Sequence, residues 1–251
     1  FLRNMYFPTG AVLSELTNNF PLLVQNYGSN QRILNQKLAY YLLCDPSKVV
    51  ALNGASQVYP CLQRYLLGKQ VLIPSPTFGE YSRCFPNYKT YNDDVGISLS
   101  MIASQSIHAE VVVIVNPNNP TGTTFPTDEI FSLAKQMPEK LFIIDESFIE
   151  FSSTPSILSL LKDKPLQNIL VIKSLSKSLG VPGIRLGYVY SENEGLIQEI
   201  KSSIPVWNMN SIAEHFLEII LKHRNAIEES FQKTIQDREV FATLLRNVDG
   251  V

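Results

Sequence analysis

The sequence contains few residues of the types that bind metals or form disulfides. It has three cysteines and three histidines among 251 residues. Cys44, Cys61 and Cys84 have neither metal-ligand nor disulfide-framework spacing, which favours packed thiols in a reducing compartment. The histidines are equally scattered, so we expect no metal site. These scarcities predict a cytoplasmic protein that uses neither disulfides nor a metal.

The sequence also lacks a strong excess of charge and any long hydrophobic run. Twenty-one lysines and arginines against 23 acidic residues leave a net charge of −2. This balance offers no basic surface for nucleic acid or an anionic membrane. No apolar run approaches the roughly 18 residues of a membrane span, and no charged-then-apolar leader opens the chain. Because the chain starts at Phe1 and ends in NVDGV, we expect a piece of a longer protein.

What the sequence does contain is a series of short apolar runs separated by polar or helical segments. Several runs are apolar without alternation, which is typical of strands buried on both faces. The segments between them include TDEIFSLAKQM, for which Thr127 is a plausible N-cap. The pattern predicts an α/β three-layer sandwich around a mainly parallel sheet. The predicted strands are VVAL from Val49, VLIP from Val71, VVVIV from Val111, LFIID from Leu141, NILVIK from Asn168 and IRLGYVY from Ile184.

Polar and aromatic residues follow five of these runs. In open α/β sheets, ligands bind at the carboxyl ends of the strands, so these residues are expected to face one cleft. Taken singly, each has an ordinary alternative: Ser56 could be a helix cap and Phe78 a core aromatic. The candidates are Gly54, Ala55 and Ser56 after the first run, Phe78 after the second, Asn119 in NPNNPTG, Asp145, and Ser174 to Arg185.

One ligand would satisfy all five strand ends: a planar ring with an aldehyde, a basic nitrogen, a phenolic oxygen and a phosphate. Pyridoxal 5'-phosphate has these four groups. Lys177 would form a Schiff base with it, Asp145 would pair with the ring nitrogen, and Asn119 would donate to the phenolic oxygen. Phe78 would cover a ring face. The phosphate would be held by Ser174, Arg185 and the amides of Ala55 and Ser56, at the turn that follows Gly54.

The stretch SLSKSLGVPGIRLGY resembles the cofactor-lysine motif of the class I and II aminotransferases. The shared pattern is Ser-x-Ser-Lys-x-x-Gly-x-x-Gly-x-Arg-x-Gly, in which Ser174, Ser176, Lys177 and Arg185 carry the side chains. NPNNPTG and IIDESFIEF resemble two further motifs of this family. The segments NGASQ, PTFGEY and PVWNMNSIAE resemble the branch of histidinol-phosphate aminotransferase and threonine-phosphate decarboxylase. The resemblance covers residues 27–214 and implies pyridoxal phosphate as cofactor, with Ser176 in its site.

The resemblance also implies a homodimer with shared active sites. Tyr27 stands where the family has a tyrosine that reaches the neighbouring subunit's cofactor phosphate, although a surface or core tyrosine is the alternative. We expect an N-terminal arm and the start of the first helix in residues 1–40 and a large cofactor-binding domain in residues 41–205. Residues 206–251 would be helices that lead into a small domain, most of which is absent from this sequence.

Two departures from the family leave the reaction open. Phe148 stands where many members have a tyrosine that donates to the phenolic oxygen. The loss of this hydrogen bond should raise the pKa of the Schiff base. No residue here can be assigned as the arginine that binds the substrate carboxylate. The leading hypothesis is an aminotransferase acting on a small amino acid, with or without a phosphate, and a 2-keto acid. The alternatives are a decarboxylase of the threonine-phosphate type and a domain that binds the cofactor without turnover.

Overall fold

In the computed structural model, which describes residues 3–94 and 96–248, seven strands form one sheet. The spatial order is β1-β7-β6-β5-β4-β2-β3. β7 runs antiparallel to both of its neighbours, and the other neighbouring pairs are parallel. The strands are β1 Val49–Leu52, β2 Val71–Ser75, β3 Tyr88–Asn92, β4 Val111–Val115, β5 Leu141–Asp145, β6 Ile169–Lys173 and β7 Gly187–Tyr190.

Helices cover both faces of this sheet, which confirms the predicted three-layer α/β fold. They lie in the connections between strands and at both ends of the described chain. The helices are α1 Gly10–Gln25, α2 Gln31–Leu42, α3 Val58–Tyr65, α4 Glu80–Cys84, α5 Leu99–Gln105, α6 Thr127–Gln136, α7 Leu158–Asp163, α8 Leu175–Ser178, α9 Glu194–Ser202, α10 Ser211–Ile220 and α11 Arg224–Leu245.

Successive residues of each central strand enter different hydrophobic cores. In β4, Val112 and Ile114 pack in one core with residues of α2, α6 and α10, whereas Val113 packs in the other with residues of α3 and α9. Every residue of β4 is therefore buried. Two-sided burial explains why the central strands read as unbroken apolar runs rather than alternating ones.

The parallel strands bring the predicted site residues to one edge of the sheet. The register pairs Val115 of β4 with Asp145 of β5, and Asp145 with Ile172 of β6. β7 runs the opposite way, so the segment that precedes it, with Arg185, arrives at this same edge. Residues from six segments thus meet where α/β sheets bind ligands.

Three features differ from the sequence analysis or were not foreseen by it. The analysis did not identify β3, an edge strand whose residues are mostly exposed, or α1, which carries Pro21 in its interior. The Thr127 cap was wrong: α6 begins at Thr127, Pro126 occupies the cap position, and the Thr127 hydroxyl donates to the carbonyl of Pro155. The six predicted strands are present, and α10 and α11 lie in the region where helices were expected.

Two structural features, a membrane-spanning helix and a cluster of metal ligands, are absent from the described residues. No helix in residues 3–94 and 96–248 is long and apolar enough to cross a membrane. The same residues contain no group of three His, Cys, Asp or Glu side chains arranged to hold a metal ion. The division of the chain at residues 40 and 205, and the cytoplasmic location, stay predictions.

Candidate active site

A cavity of about 220 Å³ opens at the carboxyl edge of the parallel strands. It brings together most of the residues predicted from the strand ends. It also includes side chains from the turns after β5 and before β7. The lining residues are Ala55, Ser56, Tyr59, Phe78, Val115, Asn119, Asp145, Ser147, Phe148, Ser174, Ser176, Lys177, Pro182 and Arg185.

Lys177 enters this cavity from α8, the single helical turn that follows β6. The turn is held in place by Ser176, whose hydroxyl donates to the carbonyl of Leu186 at 3.1 Å and accepts from its amide at 3.2 Å. Ser176 therefore ties the lysine turn to the start of β7, and its hydroxyl is already used within the protein. The Lys177 amine lies 6.0 Å from the centre of the Phe148 ring. The structure thus places one amine against an apolar wall.

Asp145 is a buried carboxylate that has no cationic partner in the described part of the chain. It is 5% exposed, and its two oxygens accept hydrogen bonds from the Tyr81 hydroxyl at 2.7 Å and the Ser147 amide at 2.9 Å. Burial, and then the charge of Asp145, raise the pKa of Tyr81 well above its ordinary value, so Tyr81 remains a donor. These two hydrogen bonds offset part of the cost of burying Asp145, and because Asp145 lines the cavity, a positively charged ligand there would offset more of it.

Arg185 and the turn after β1 form a second polar wall. Arg185 Nη2 donates to the Ser56 hydroxyl at 3.2 Å, while Nη1 donates to the carbonyl of Pro182 at 3.1 Å. Gly54 has φ 78°, and a Cβ added there would lie 2.2 Å from Arg185 Nη2. The backbone conformation therefore favours glycine, and a side chain at this position would displace the Arg185 guanidinium from its place beside Ser56. Ala55 and Ser56 are the first two residues of the helical turn that follows. Their backbone amides have no acceptor within that turn, as is usual at the start of a helix.

Asn119 and Phe78 line the cavity from two neighbouring loops. Asn119 lies in the loop after β4, and Phe78 lies after β2 with 44% of its surface exposed. The Phe78 ring is 6.3 Å from that of Tyr59, which also lines the cavity. Phe148 completes the apolar part of the wall, and no hydroxyl stands where a tyrosine would have supplied one.

Tyr27 lies outside this cavity. Its ring stacks on that of Trp207, with centroids 4.6 Å apart, and 78% of its surface is exposed. The assignment of Tyr27 to a neighbouring subunit's site stays a prediction.

A second buried acidic group lies next to Asp145 on the chain but away from the cavity. Glu146 is 1% exposed and accepts from the Ile157 amide at 2.7 Å and from the Ser156 hydroxyl. Burial raises the pKa of Glu146, although the charge of Lys173 acts in the opposite direction. Lys173, itself 2% exposed, pairs with Glu150 at 2.5 Å. These residues anchor the turn that carries Asp145 and Phe148.

The sequence analysis missed Tyr81, Tyr59, Ser147 and Pro182. Tyr81 ends the quoted segment PTFGEY, but that segment signalled only Phe78. The Tyr81 hydroxyl meets Asp145 because α4 follows β2 with only a short loop between them. A pattern within one segment could not show this contact between segments 64 residues apart.

Comparison with known proteins places the chain in a family. The sequence profile described as "Aminotransferase class I and II" matches residues 24–251. A CMP-5'-(3-aminopropyl)phosphonate synthase of Streptomyces rubellomurinus is 30% identical over 100% of this chain, which spans 41% of that protein. An L-serine phosphate decarboxylase of Sulfurospirillum multivorans is 28% identical over 94% of this chain, which spans 64% of that protein. The chain is therefore less than two thirds of the length of either relative.

A solved structure of similar sequence supports the same fold. The histidinol-phosphate aminotransferase of Clostridium acetobutylicum is 28% identical and superimposes with a TM-score of 0.85, covering 99% of this chain and 76% of that one. This chain belongs to the class I and II aminotransferase family. The resemblance seen in the sequence is confirmed, and the family indicates pyridoxal 5'-phosphate as the cofactor.

The cavity fits this cofactor by the chemistry of its donors. It combines one lysine, a buried carboxylate that lacks a cation among the described residues, an arginine beside a helical turn, and a side-chain amide. These groups match an aldehyde, a ring nitrogen, a phosphate and a phenolic oxygen in turn.

Proposed function

We propose that this chain carries the cofactor site of an aminotransferase that moves an amino group between a small amino acid and a 2-keto acid. The observation that carries the proposal is Asp145, a buried carboxylate that faces a cavity with Lys177 and has no cation among the described residues. A protonated ring nitrogen would supply the missing positive charge. The sequence motifs alone could not show that this charge is missing.

Within this proposal, several cavity residues would each hold one part of the cofactor. Lys177 would bind the aldehyde, Asp145 would hold the ring nitrogen and Asn119 would donate to the phenolic oxygen. Phe78 and Phe148 would supply the apolar wall for the ring. The phosphate would be held by Arg185, the hydroxyls of Ser56 and Ser174, and the amides of Ala55 and Ser56, with Gly54 leaving room for the guanidinium and Ser176 fixing the lysine turn.

The chemistry of the bound cofactor is electron withdrawal from a bond at the substrate α-carbon. The protein's part is to hold a negative carboxylate at the ring nitrogen and a positive guanidinium at the phosphate. Lys177 is the amine within the cavity, and we assign to it the transfer of a proton at the α-carbon.

A decarboxylase is the second candidate, and one residue favours it. Phe148 occupies a position where many aminotransferases have a tyrosine, so the cavity has one hydrogen-bond donor fewer. A relative named as a decarboxylase of a phosphorylated amino acid has 28% identity to 94% of this chain. We keep the aminotransferase as the leading proposal on the sequence motifs SLSKSLGVPGIRLGY, NPNNPTG and IIDESFIEF. Relatives named for both reactions match this chain, so the experiment below separates them.

We also propose that the chain forms a homodimer in which Tyr27 reaches the partner's phosphate site. Tyr27 and Trp207 form a stacked pair that is 78% and 55% exposed, respectively. Aromatic side chains of this kind are enriched at protein interfaces. The third hypothesis, a domain that binds the cofactor without turnover, is an outcome of the experiment below.

The first test is a titration of the 251-residue chain with pyridoxal phosphate, followed by visible absorbance. We expect a band from the lysine-bound cofactor that Lys177→Ala lacks and that Lys164→Ala, a change at an exposed lysine, retains. Incubation with amino acids then separates the reactions: an aminotransferase forms a keto acid from the donor, and a decarboxylase releases carbon dioxide without consuming a keto acid. A band without either product would support the non-catalytic domain. Equal bands from the chain and Lys177→Ala would refute the assignment of Lys177.

A further inference from the structure

Asp93 is a buried carboxylate outside every motif that the sequence analysis identified. It follows the edge strand β3 and is 2% exposed. One oxygen accepts from the Asn118 side-chain amide and from the Thr121 hydroxyl, each at 2.5 Å. Its own amide donates to the carbonyl of Ser75 at the end of β2, at 2.9 Å. The Asp93 side chain is therefore bonded to the loop that carries Asn119, and its backbone to the end of β2, just before the loop that carries Phe78.

Asn118 connects the same two loops from the other side. It is 5% exposed, and its amide nitrogen donates to the carbonyl of Pro76 at 2.9 Å as well as to Asp93. Its side-chain oxygen accepts from the Thr77 hydroxyl at 2.8 Å. Asn119 therefore directly follows a residue whose side chain is held by three hydrogen bonds. A buried network of this kind fixes one geometry when every member is satisfied.

We propose that Asp93 is a positioning residue for the cofactor site, acting through Asn118 and Thr121. It holds the loop after β4 so that Asn119 presents its side chain to the cavity, and it holds the loop after β2 so that Phe78 does the same. This inference rests on the proposed role of Asn119 at the phenolic oxygen. Asp93 itself does not line the cavity.

Among the described residues, Asp93 is held in its buried position by hydrogen bonds alone. Within residues 3–94 and 96–248, no lysine, arginine or histidine pairs with it, so its burial is offset by the hydrogen bonds that it accepts. Removing the carboxylate takes one acceptor from the buried Asn118 amide, which keeps its bond to the carbonyl of Pro76, and one from the hydroxyl of Thr121, an exposed residue. The loop after β4 then loses its side-chain attachment to Asp93, and we expect Asn119 to be held less firmly.

The test compares the lysine-bound cofactor in the parent chain, Asn119→Ala, Asp93→Ala and Asp93→Asn. A hydrogen-bond donor to the phenolic oxygen stabilises the negative charge on that oxygen. It therefore lowers the pKa of the Schiff base, which is the midpoint of the pH titration of the visible band. Loss of that donor in Asn119→Ala should raise the midpoint by about half a pH unit or more. Asp93→Ala should raise it in the same direction, and Asp93→Asn, which keeps an acceptor oxygen, should raise it less. Asp145, Tyr59 and Arg185 also face the cavity and stay unchanged.

The matched control is Asp94→Asn, which removes a carboxylate from the next residue. Asp94 is exposed and accepts from Asn92 on its own segment, so its change should leave the midpoint where it was. Thr121→Val removes one donor to Asp93 while keeping the side-chain shape. Thr121→Val should raise the midpoint by a smaller amount than Asp93→Ala. It takes the place of Asp93→Ala in the test if that variant does not fold.

Hydrogen exchange in the cofactor-free chain gives an independent measurement. In Asp93→Asn we expect faster amide exchange in residues 74–81 and 116–124, with the rest of the protein unchanged. Asp94→Asn should show no such difference.

Two results separate the failure of this inference from the failure of the proposed function. If the parent chain shows no Lys177-dependent band, or Asn119→Ala leaves the midpoint unchanged, the proposed site is wrong and the inference with it. If Asn119→Ala raises the midpoint while the Asp93 and Thr121 variants leave both the midpoint and the loop exchange unchanged, Asp93 does not position the loop. A raised midpoint with local faster exchange supports the proposal.

Discussion

Asp145 and Glu146 are adjacent buried acids with different surroundings. Asp145 faces the cavity and accepts hydrogen bonds from Tyr81 and Ser147, with no cation paired to it among the described residues. Glu146 lies behind it, near the ion pair of the buried Lys173 and the partly buried Glu150. Lys173 lies on the rear side, whereas Lys177 lines the cavity without forming an ion pair with Asp145 in the described part of the chain. Asp145 is therefore the carboxylate to which the proposed ring nitrogen would bring a positive charge.

The largest effect on the rear side should come from Lys173→Met. This change leaves the partly buried Glu150 and the buried Glu146 without their cation, and removing one partner from a largely buried pair costs up to about 3 kcal/mol. The folded-state pKa of Glu146, already raised, should rise further, so the loss of stability should grow as the pH increases from 5 to 8. Denaturant unfolding at both pH values measures this effect.

The control for Lys173→Met is Lys69→Met, because Lys69 pairs with Glu110 on the surface. Both partners of that pair are about half exposed, and exposed pairs contribute about 0.5 kcal/mol. If the two variants lost similar stability, or if the Lys173→Met loss were independent of pH, the rear charges would not be coupled as described.

A smaller effect is expected from Tyr81→Phe on the cavity side. The variant loses a hydrogen bond to a buried carboxylate, which contributes about 1.5 kcal/mol. We expect roughly that loss of stability in the cofactor-free chain, together with about tenfold weaker binding of pyridoxal phosphate, because Asp145 is no longer held in one orientation. Denaturant unfolding and the absorbance titration measure the two effects.

Tyr91→Phe provides the comparison for Tyr81→Phe. Tyr91 is also buried, but its hydroxyl donates to the backbone carbonyl of Val113 at 3.1 Å, and it does not line the cavity. We expect reduced stability and unchanged cofactor binding. Equal cofactor binding by both variants would show that Tyr81 only stabilises the fold.

The sequence was most informative where a single segment carries both the structure and the chemistry. The strands β4, β5 and β6 could be predicted because burial on both faces leaves an unbroken apolar run. Lys177 and Arg185 could be predicted because one short motif fixes the turn between β6 and β7. The family resemblance was confirmed by the match to residues 24–251.

Contacts between distant segments could not be predicted from such patterns. β3 was missed because an edge strand needs only part of one face to be apolar, and in YKTYN only Tyr91 is buried. No local sequence pattern marked Asp93 or Tyr81, because each forms its hydrogen bond with a residue at least 25 positions away along the chain. Thr127 was assigned as a cap from its residue type, but Pro126 takes that position and the threonine hydroxyl bonds to another loop instead.

The most direct measurement of the central claim compares two ligands on two variants. Dissociation constants are measured for pyridoxal phosphate and for its analogue in which carbon replaces the ring nitrogen, using the parent chain, Asp145→Asn and Glu146→Gln. The account predicts that the parent and Glu146→Gln prefer pyridoxal phosphate by about tenfold or more, and that Asp145→Asn loses this preference. If Asp145→Asn kept the full preference, Asp145 would not hold the ring nitrogen, and the account of the cavity would be wrong.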